Sequence, residues 1–216
     1  MNTNQAWSVV KFGGTSVSDH GCWSHINTIL KNHLKNKQRV VLICSAPAGV
    51  SNLLEQLTEQ AAEGTKYQTT LQQIHDIYHN LAIELTIDFD QCAGSLWQSL
   101  QRTAQGISLL NDNSAKSQAK ILAFGELILT TLAAAYLNKQ SFKVQWCDAR
   151  HYLIARDDNN LHSRNHFLYA ECDSDLRPEM IKQFNDFNVD IIISQGFIAR
   201  DNQHQTVLLG RGGSDV

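Results

Sequence analysis

Lys11-Phe12-Gly13-Gly14-Thr15-Ser16 places a cation, two residues without side chains and two hydroxyls where the apolar run Trp7 to Phe12 ends. Glycine lets backbone N–H groups approach an anion with no Cβ in the way, hydroxyls add donors, and lysine adds a point charge. At roughly 4 Å and an effective dielectric near 20, such a charge is worth about 4 kcal/mol against one negative charge. The loop suits phosphate, although Gly-Gly also serves plain strand-to-helix turns, and the lysine precedes the glycines where a Walker A loop has it follow them. A second glycine-rich segment, Gly210-Arg211-Gly212-Gly213-Ser214-Asp215, offers a planar cation, a hydroxyl and a carboxylate. Together the two segments could form a phosphate site facing an anionic acceptor.

Glu126 is a third candidate, because it interrupts the apolar stretch Ile121 to Leu137. A carboxylate buried there needs a partner, since desolvating an unpaired charge is strongly unfavourable. That partner is either a nearby loop, capped by the carboxylate, or the ammonium group of a ligand. Ala123, Glu126, Thr130 and Ala133 share one helical face of mostly small residues, which lets another backbone or a ligand come close. His75 and His79 are one helical turn apart and read as a polar helix edge, so no metal site is expected.

Strands and helices must position these groups. Trp7 to Phe12, Val40 to Cys44 and Val189 to Ser194 are short, continuous and β-branched, as buried parallel strands are; Phe142 to Cys147 is a weaker fourth. Between the first two, Ser18-Asp19 opens a helix with Cys22, Trp23, Ile26, Ile29, Leu30 and Leu34 at helical spacing, giving a strand-helix-strand unit. From Ser51 to Asn138 there is no proline, and the apolar spacing from Tyr67 to Leu85 and from Leu96 to Ile107 predicts two helices. They join at Asp88-Phe89-Asp90 as an antiparallel hairpin packed on itself or on the sheet edge. A further helix is predicted over Asp175 to Asn188, with Pro178 in its first turn. Gly13-Gly14, then Ser45-Ala46 with Gly49 and Ser51, then Gln195-Gly196 each follow a strand, and the carboxyl ends of an open α/β sheet form its ligand crevice.

With 216 residues, 43% of them hydrophobic, the chain can bury a substantial core as one domain spanning 1–216. A net charge of -3 and the lack of a basic stripe argue against nucleic acid as a partner. The five cysteines are scattered and form no C-x-x-C pair, which suits a reducing cytoplasm. The nearest approach to a membrane span, Ile121 to Leu137, is broken by Gly125-Glu126, is slightly short for a bilayer and reads as a buried helix, so no membrane partner is expected.

Five landmarks occur in order: Lys11 to Ser16, the Ser45-Ala46 to Gly49-Val50-Ser51-Asn52 loop, Phe124-Gly125-Glu126, Gln195-Gly196-Phe197-Ile198, and Leu209 to Asp215. In these the chain resembles the N-terminal catalytic part of the aspartate kinases, of the amino-acid kinase superfamily, over nearly its whole length. The resemblance implies an α/β fold: a three-layer α/β/α sandwich with a mainly parallel central sheet, truncated before the nucleotide-binding half. It implies transfer of the γ-phosphoryl group of ATP, with Mg2+ carried on the phosphates, to the side-chain carboxylate of L-aspartate. The acceptor is already ionised at neutral pH, so catalysis reduces to alignment and charge neutralisation.

By the same resemblance Lys11 meets the transferring phosphoryl group, and Phe12, Gly13, Gly14, Thr15 and Ser16 complete the phosphate loop. Glu126 takes the substrate ammonium group, and Arg211 grips a carboxylate through its fork. Ser45, Ser51, Gly212, Gly213 and Ser214 line the substrate, and Asp215 orients Lys11. Three positions depart from the family pattern. Val207-Leu208 stand where two threonines are usual, Ser51 replaces threonine, and Pro47 occupies a flexible position; each lost threonine hydroxyl would cost about 1 kcal/mol if it braces the loop. The chain alone is expected to be feeble or inactive, with homo-oligomerisation and fusion to a second enzyme or regulatory domain belonging to a longer protein. Another amino-acid kinase with a different acceptor, or a non-catalytic amino-acid-binding module, are the alternatives.

Overall fold

The computed structural model describes residues 6–156, 163–172 and 178–210. Its β-branched runs form strands β1 (Trp7–Phe12), β2 (Arg39–Cys44), β3 (Val144–Trp146) and β4 (Ile191–Gln195), ordered β1-β2-β4-β3 with every pairing parallel. The third sequence run starts two residues later than expected and ends one later, at Gln195. The weakest run shortens because Phe142 N–H turns back to the Leu137 carbonyl, closing the preceding helix. Register sets the two faces: Val40, Leu42, Cys44, Ile191 and Ile193 point into the main core, while Trp7, Val9 and Lys11 lie on the other face.

Helix α1 (His20–Lys35) starts where the Asp19 carboxylate accepts the Cys22 N–H at 2.8 Å, satisfying one of the unpaired amides of its first turn. Its Trp23 meets Tyr136 of the later helix α5 (Ala115–Lys139) edge-on, with ring centroids 6.1 Å apart, so both helices cover the core face of the sheet. Between them in sequence come α2 (Val50–Ala62), α3 (Gln68–Glu84) and α4 (Phe89–Leu110). The predicted hairpin is α3 and α4, with Asp88 capping α4 through Gln91 N–H at 2.9 Å. Helix α2 was not foreseen, and it adds to the packing: α3 lies mainly on α2 and α4 mainly on α5, while α3 and α4 also touch each other through His75, Phe89 and Trp97. Helix α5 is apolar and long enough to cross a bilayer, but 83% of its most apolar window is buried inside the protein. It is the central core helix.

Helix α6 (Ser163–Leu168) and helix α7 (Pro178–Asp186) follow; the predicted start of α7 at Asp175 lies outside the described residues. Phe184 of α7 meets Trp7 edge-on at 6.5 Å on the sheet face opposite α1 and α5. Arg39 stacks on Trp7 at 3.9 Å and donates to the carbonyls of Phe184, Phe187 and Val189, locking the carboxyl end of α7. The layers are therefore helix, sheet and helix, as expected. A hairpin of β5 (Ile198–Arg200) and β6 (Thr206–Leu208) continues from β4.

His79 is exposed on its helix edge, as expected, while the part-buried His75 also packs inward: the two rings stack 5.4 Å apart, and His75 lies 5.2 Å from Phe89 and 5.0 Å from Trp97, between α3 and α4. Val207 and Leu208 are packing positions of β6, 0% and 1% exposed, so a threonine hydroxyl there would need its own buried partner.

Gly14 lies under the loop after β2. An added Cβ would stand 2.6 Å from the Ala46 carbonyl oxygen, whereas at Gly13 it would meet nothing within 4 Å. Gly14→Ala is expected to lower stability in urea unfolding by about 1–3 kcal/mol, as overpacking against backbone does. Gly13→Ala should stay within about 0.5 kcal/mol of the wild type. Equal effects would contradict the packing assigned to these two glycines.

Candidate active site

The first two crevice loops are sewn together by backbone. Ser45 N–H extends the ladder to the Phe12 carbonyl at 3.1 Å, and Ala48 N–H reaches the Gly14 carbonyl at 3.2 Å. Ser18 Oγ donates to that same carbonyl at 2.6 Å and accepts from Ala48 N–H at 3.1 Å. These bonds explain why Gly14 cannot carry a side chain. They also leave Lys11, Gly13, Thr15 and Ser16 exposed on the outer side of the loop, with Phe12 half-buried beneath. Pro47 accepts Val50 N–H at 3.1 Å, and Gly49, at φ 83°, turns the chain into α2. The left-handed conformation favours glycine at that point. Ser45 is half-buried beside this turn, and Ser51 is exposed in the first turn of α2.

Gly125 brings α5 up against the same loop. A Cβ there would lie 3.0 Å from Ala46 Cβ and 3.1 Å from Leu54 Cδ1, and the Gly125 carbonyl accepts the Tyr78 hydroxyl at 2.5 Å. This close approach delivers the next residue, Glu126, to the crevice, where it is only 4% exposed. The third loop meets it: Gly196 N–H and Phe197 N–H both donate to Glu126 Oε2, at 2.9 and 2.8 Å. Of the two partners open for Glu126 from sequence, the loop amides are the ones the structure provides at Oε2.

Burial pushes the Glu126 carboxyl up to about 7, against the opposing pull of the Phe197 and Gly196 amides and the charge of Lys11. Burial and the Glu126 charge together push the Cys44 thiol and the Tyr78 phenol up. Lys11 on β1, Glu126 on α5 and the loops after β1, β2 and β4 thus share one electrostatic site at the carboxyl edge of the sheet. Arg211, Gly212, Gly213, Ser214 and Asp215 lie outside the described residues; among those described, Leu209 N–H donates to the Phe197 carbonyl at 2.9 Å. The amides of Gly196 and Phe197 were not assigned a role from sequence. The Gln195-Gly196 pair at a strand end marked the loop, but its pairing with a residue 70 positions away needs the fold.

The profile of the amino acid kinase family matches residues 6–216. Among curated proteins, the chain is 28% identical over 214 residues to the lysine-sensitive aspartokinase 3 of Escherichia coli, covering 96% of this chain and 44% of that protein. It is 34% identical over 209 residues to the aspartokinase of Chlamydia muridarum, covering 96% and 43%. The crystal structure of E. coli aspartokinase III in complex with aspartate and ADP superposes with a TM-score of 0.79 at 27% identity, over 98% of this chain and 45% of that one. The chain thus spans less than half the length of these relatives, and the match falls on their N-terminal portion.

The raised Glu126 carboxyl makes stability depend on pH. The folded state holds the proton up to about 7 while the unfolded carboxyl releases it near 4.5, so this group's contribution is greatest below pH 4.5 and is lost as pH rises to about 7. At about 1.4 kcal/mol per unit the loss is at most about 3 kcal/mol. Because both amides converge on one oxygen, glutamine can accept both, and E126Q should fold without this slope. Urea unfolding across pH 4.5–7 should show wild type losing stability relative to E126Q; a constant difference would refute the account.

Proposed function

The chain belongs to the amino acid kinase family, and we propose that it forms the acceptor-binding, phosphate-facing part of an aspartate kinase. The observation that carries this reading is a buried carboxylate, Glu126, held by two loop amides at the crevice where an exposed lysine, two residues ahead of a glycine pair, begins the phosphate loop. An acceptor with both an ammonium group and a carboxylate suits such a site, and related structures are complexes with aspartate. The proposed reaction joins an oxygen of the aspartate side-chain carboxylate to the γ-phosphorus of ATP as the bond from that phosphorus to the β–γ bridging oxygen breaks. The products are 4-phospho-L-aspartate and ADP.

The residues present fit a triphosphate. Gly13 has open space where a Cβ would stand, and Thr15 and Ser16 are exposed beside it. Bound ATP would supply the phosphoryl group, with Mg2+ arriving on its phosphates. Lys11 neutralises charge on the transferring group, and the Gly13-Gly14 loop holds phosphate oxygens against backbone. Glu126 binds the ammonium group; burial raises its carboxyl, and a cation placed against it restores the ionised form, so amine binding and deprotonation reinforce one another. Ser45 and Ser51 add hydrogen bonds, and Arg211 with Ser214 grips the substrate α-carboxylate while Asp215 orients Lys11. No protein base is needed, because the nucleophile is an ionised carboxylate. The same reading places the protein in the cytoplasm, as part of a homo-oligomer.

Titration calorimetry on this chain tests the assignment. L-Aspartate should bind, E126Q should weaken it about tenfold or more while leaving succinate, which lacks the ammonium group, within about twofold. Lys11→Met should spare aspartate but weaken a Mg-bound, non-hydrolysable ATP analogue. Equal loss of aspartate and succinate in E126Q would refute the ammonium role, and nucleotide-independent aspartate binding unaffected by Lys11→Met would favour a non-catalytic amino-acid-binding module.

A further inference from the structure

One helical turn beyond Glu126, Thr130 is fully buried and its hydroxyl is saturated. Its Oγ1 donates to the Glu126 carbonyl at 2.8 Å and accepts from Gln195 Nε2 at 2.6 Å and from Trp146 Nε1 at 3.0 Å. One donated and two accepted bonds are the full capacity of a hydroxyl. Gln195, 1% exposed, is equally committed: its Oε1 accepts Ala149 N–H at 2.8 Å, which fixes which end of the amide faces Thr130. A single hydroxyl therefore ties together α5, the end of β3 and the end of β4. The residues that follow Gln195 are the two whose amides hold Glu126 Oε2. Nothing in the proposed reaction uses Thr130, Gln195 or Trp146, and an apolar core would fill their space without the cost of satisfying three polar groups.

We propose that Thr130, Gln195 and Trp146 are positioning residues for the amino-group end of the acceptor pocket: they lock the turn after β4 to α5 so that the Gly196 and Phe197 amides stay on one oxygen of Glu126 and fix how its carboxylate meets a substrate ammonium group. This rests on the reading of Glu126 as the ammonium anchor. The chemistry follows from the pairing of parts. Without the Thr130–Gln195 bond the turn keeps its strand pairing but loses its direct tie to α5, the amides weaken at Oε2, and the carboxylate loses part of its orientation and of what keeps it ionised. Lys11 from β1, Cys44 from β2 and Tyr78 from α3 also face this carboxylate electrostatically, and none of them touches Thr130 through a described bond. Their effect is common to wild type and variants.

The test is done on this chain with two independent readouts: the pH titration of the Glu126 13Cδ resonance with the Gly196 and Phe197 amide proton shifts, and L-aspartate affinity by calorimetry with succinate as the amine-free control. In T130V, which keeps the shape and removes the hydroxyl, the Glu126 midpoint should rise by about one pH unit and the two amide protons should shift upfield together. Aspartate should bind about tenfold more weakly and succinate unchanged. T130S, which restores the hydroxyl, should return both readouts to wild type, and Q195M should reproduce T130V if the valine variant folds poorly. A folded T130V or Q195M that is merely less stable, with Glu126 titration and amide shifts unmoved, would overturn the proposal in favour of a purely structural hydrogen-bond hub. Shifts as expected in a wild-type chain that binds aspartate no better than E126Q would overturn the substrate reading, and with it the amine-presenting role, while leaving the coupling of Thr130 to Glu126 measured.

Discussion

A carboxylate in the middle of the most apolar helix is the constraint around which the rest is arranged. Glu126 is nearly inaccessible to water, and a lone charge there would be too costly to keep. Three backbones are therefore drawn to one place. The turn after β4 supplies two amides, the loop after β2 lies against Gly125, and β1 brings Lys11 within electrostatic reach. Removing any one of these would leave either a void or an uncompensated charge. Compensation is incomplete even so, since burial still outweighs the two amides and Lys11 and the carboxyl stays raised to about 7.

The glycines show the same logic in steric terms. Gly14 and Gly125 both face the loop after β2, one against the Ala46 carbonyl and the other against Ala46 Cβ, so this short loop is gripped from two sides by backbones that carry no side chain. Interfaces of this kind are stiff, because close-packed atoms transmit a displacement instead of absorbing it. Gly13, with nothing near its missing Cβ, is the opposite case: it faces open space and takes no part in this packing. The adjacent glycines of one motif therefore do different work, and only one of them belongs to the fold.

Much of the architecture was legible. The β-branched runs became the parallel sheet, but only β4 is buried along its whole length, where a strand covered on both faces has no reason to alternate; β1 leaves Val9 exposed and β2 alternates. The stretch over α5 reads as buried because Gly125-Glu126 interrupts it, and it is the core helix. Helix α2 was missed although Val50, Leu54, Leu57 and Ala61 recur at helical spacing; its start is set by Gly49 in a left-handed turn with no side-chain cap to announce it. Helical spacing places His75 and His79 on one face; how α4 crosses α3 decides that His75 meets the rings of Phe89 and Trp97 while His79 stays exposed.

What the sequence by itself determined is the set of chemical groups and their local setting: a lysine ahead of paired glycines at a strand end, a carboxylate embedded in an apolar helix, and turns at the carboxyl ends of three strands. These follow from short-range rules, because periodicity, glycine content and charge act over a few residues. What only the tertiary structure decided is which partners those groups meet. Gly196 and Phe197 reach Glu126, and Gln195 reaches Thr130, across separations of 65 to 71 residues. Such pairings depend on strand order and on how closely α5 can approach the sheet, quantities set by the packing of the whole core and absent from any local stretch of chain.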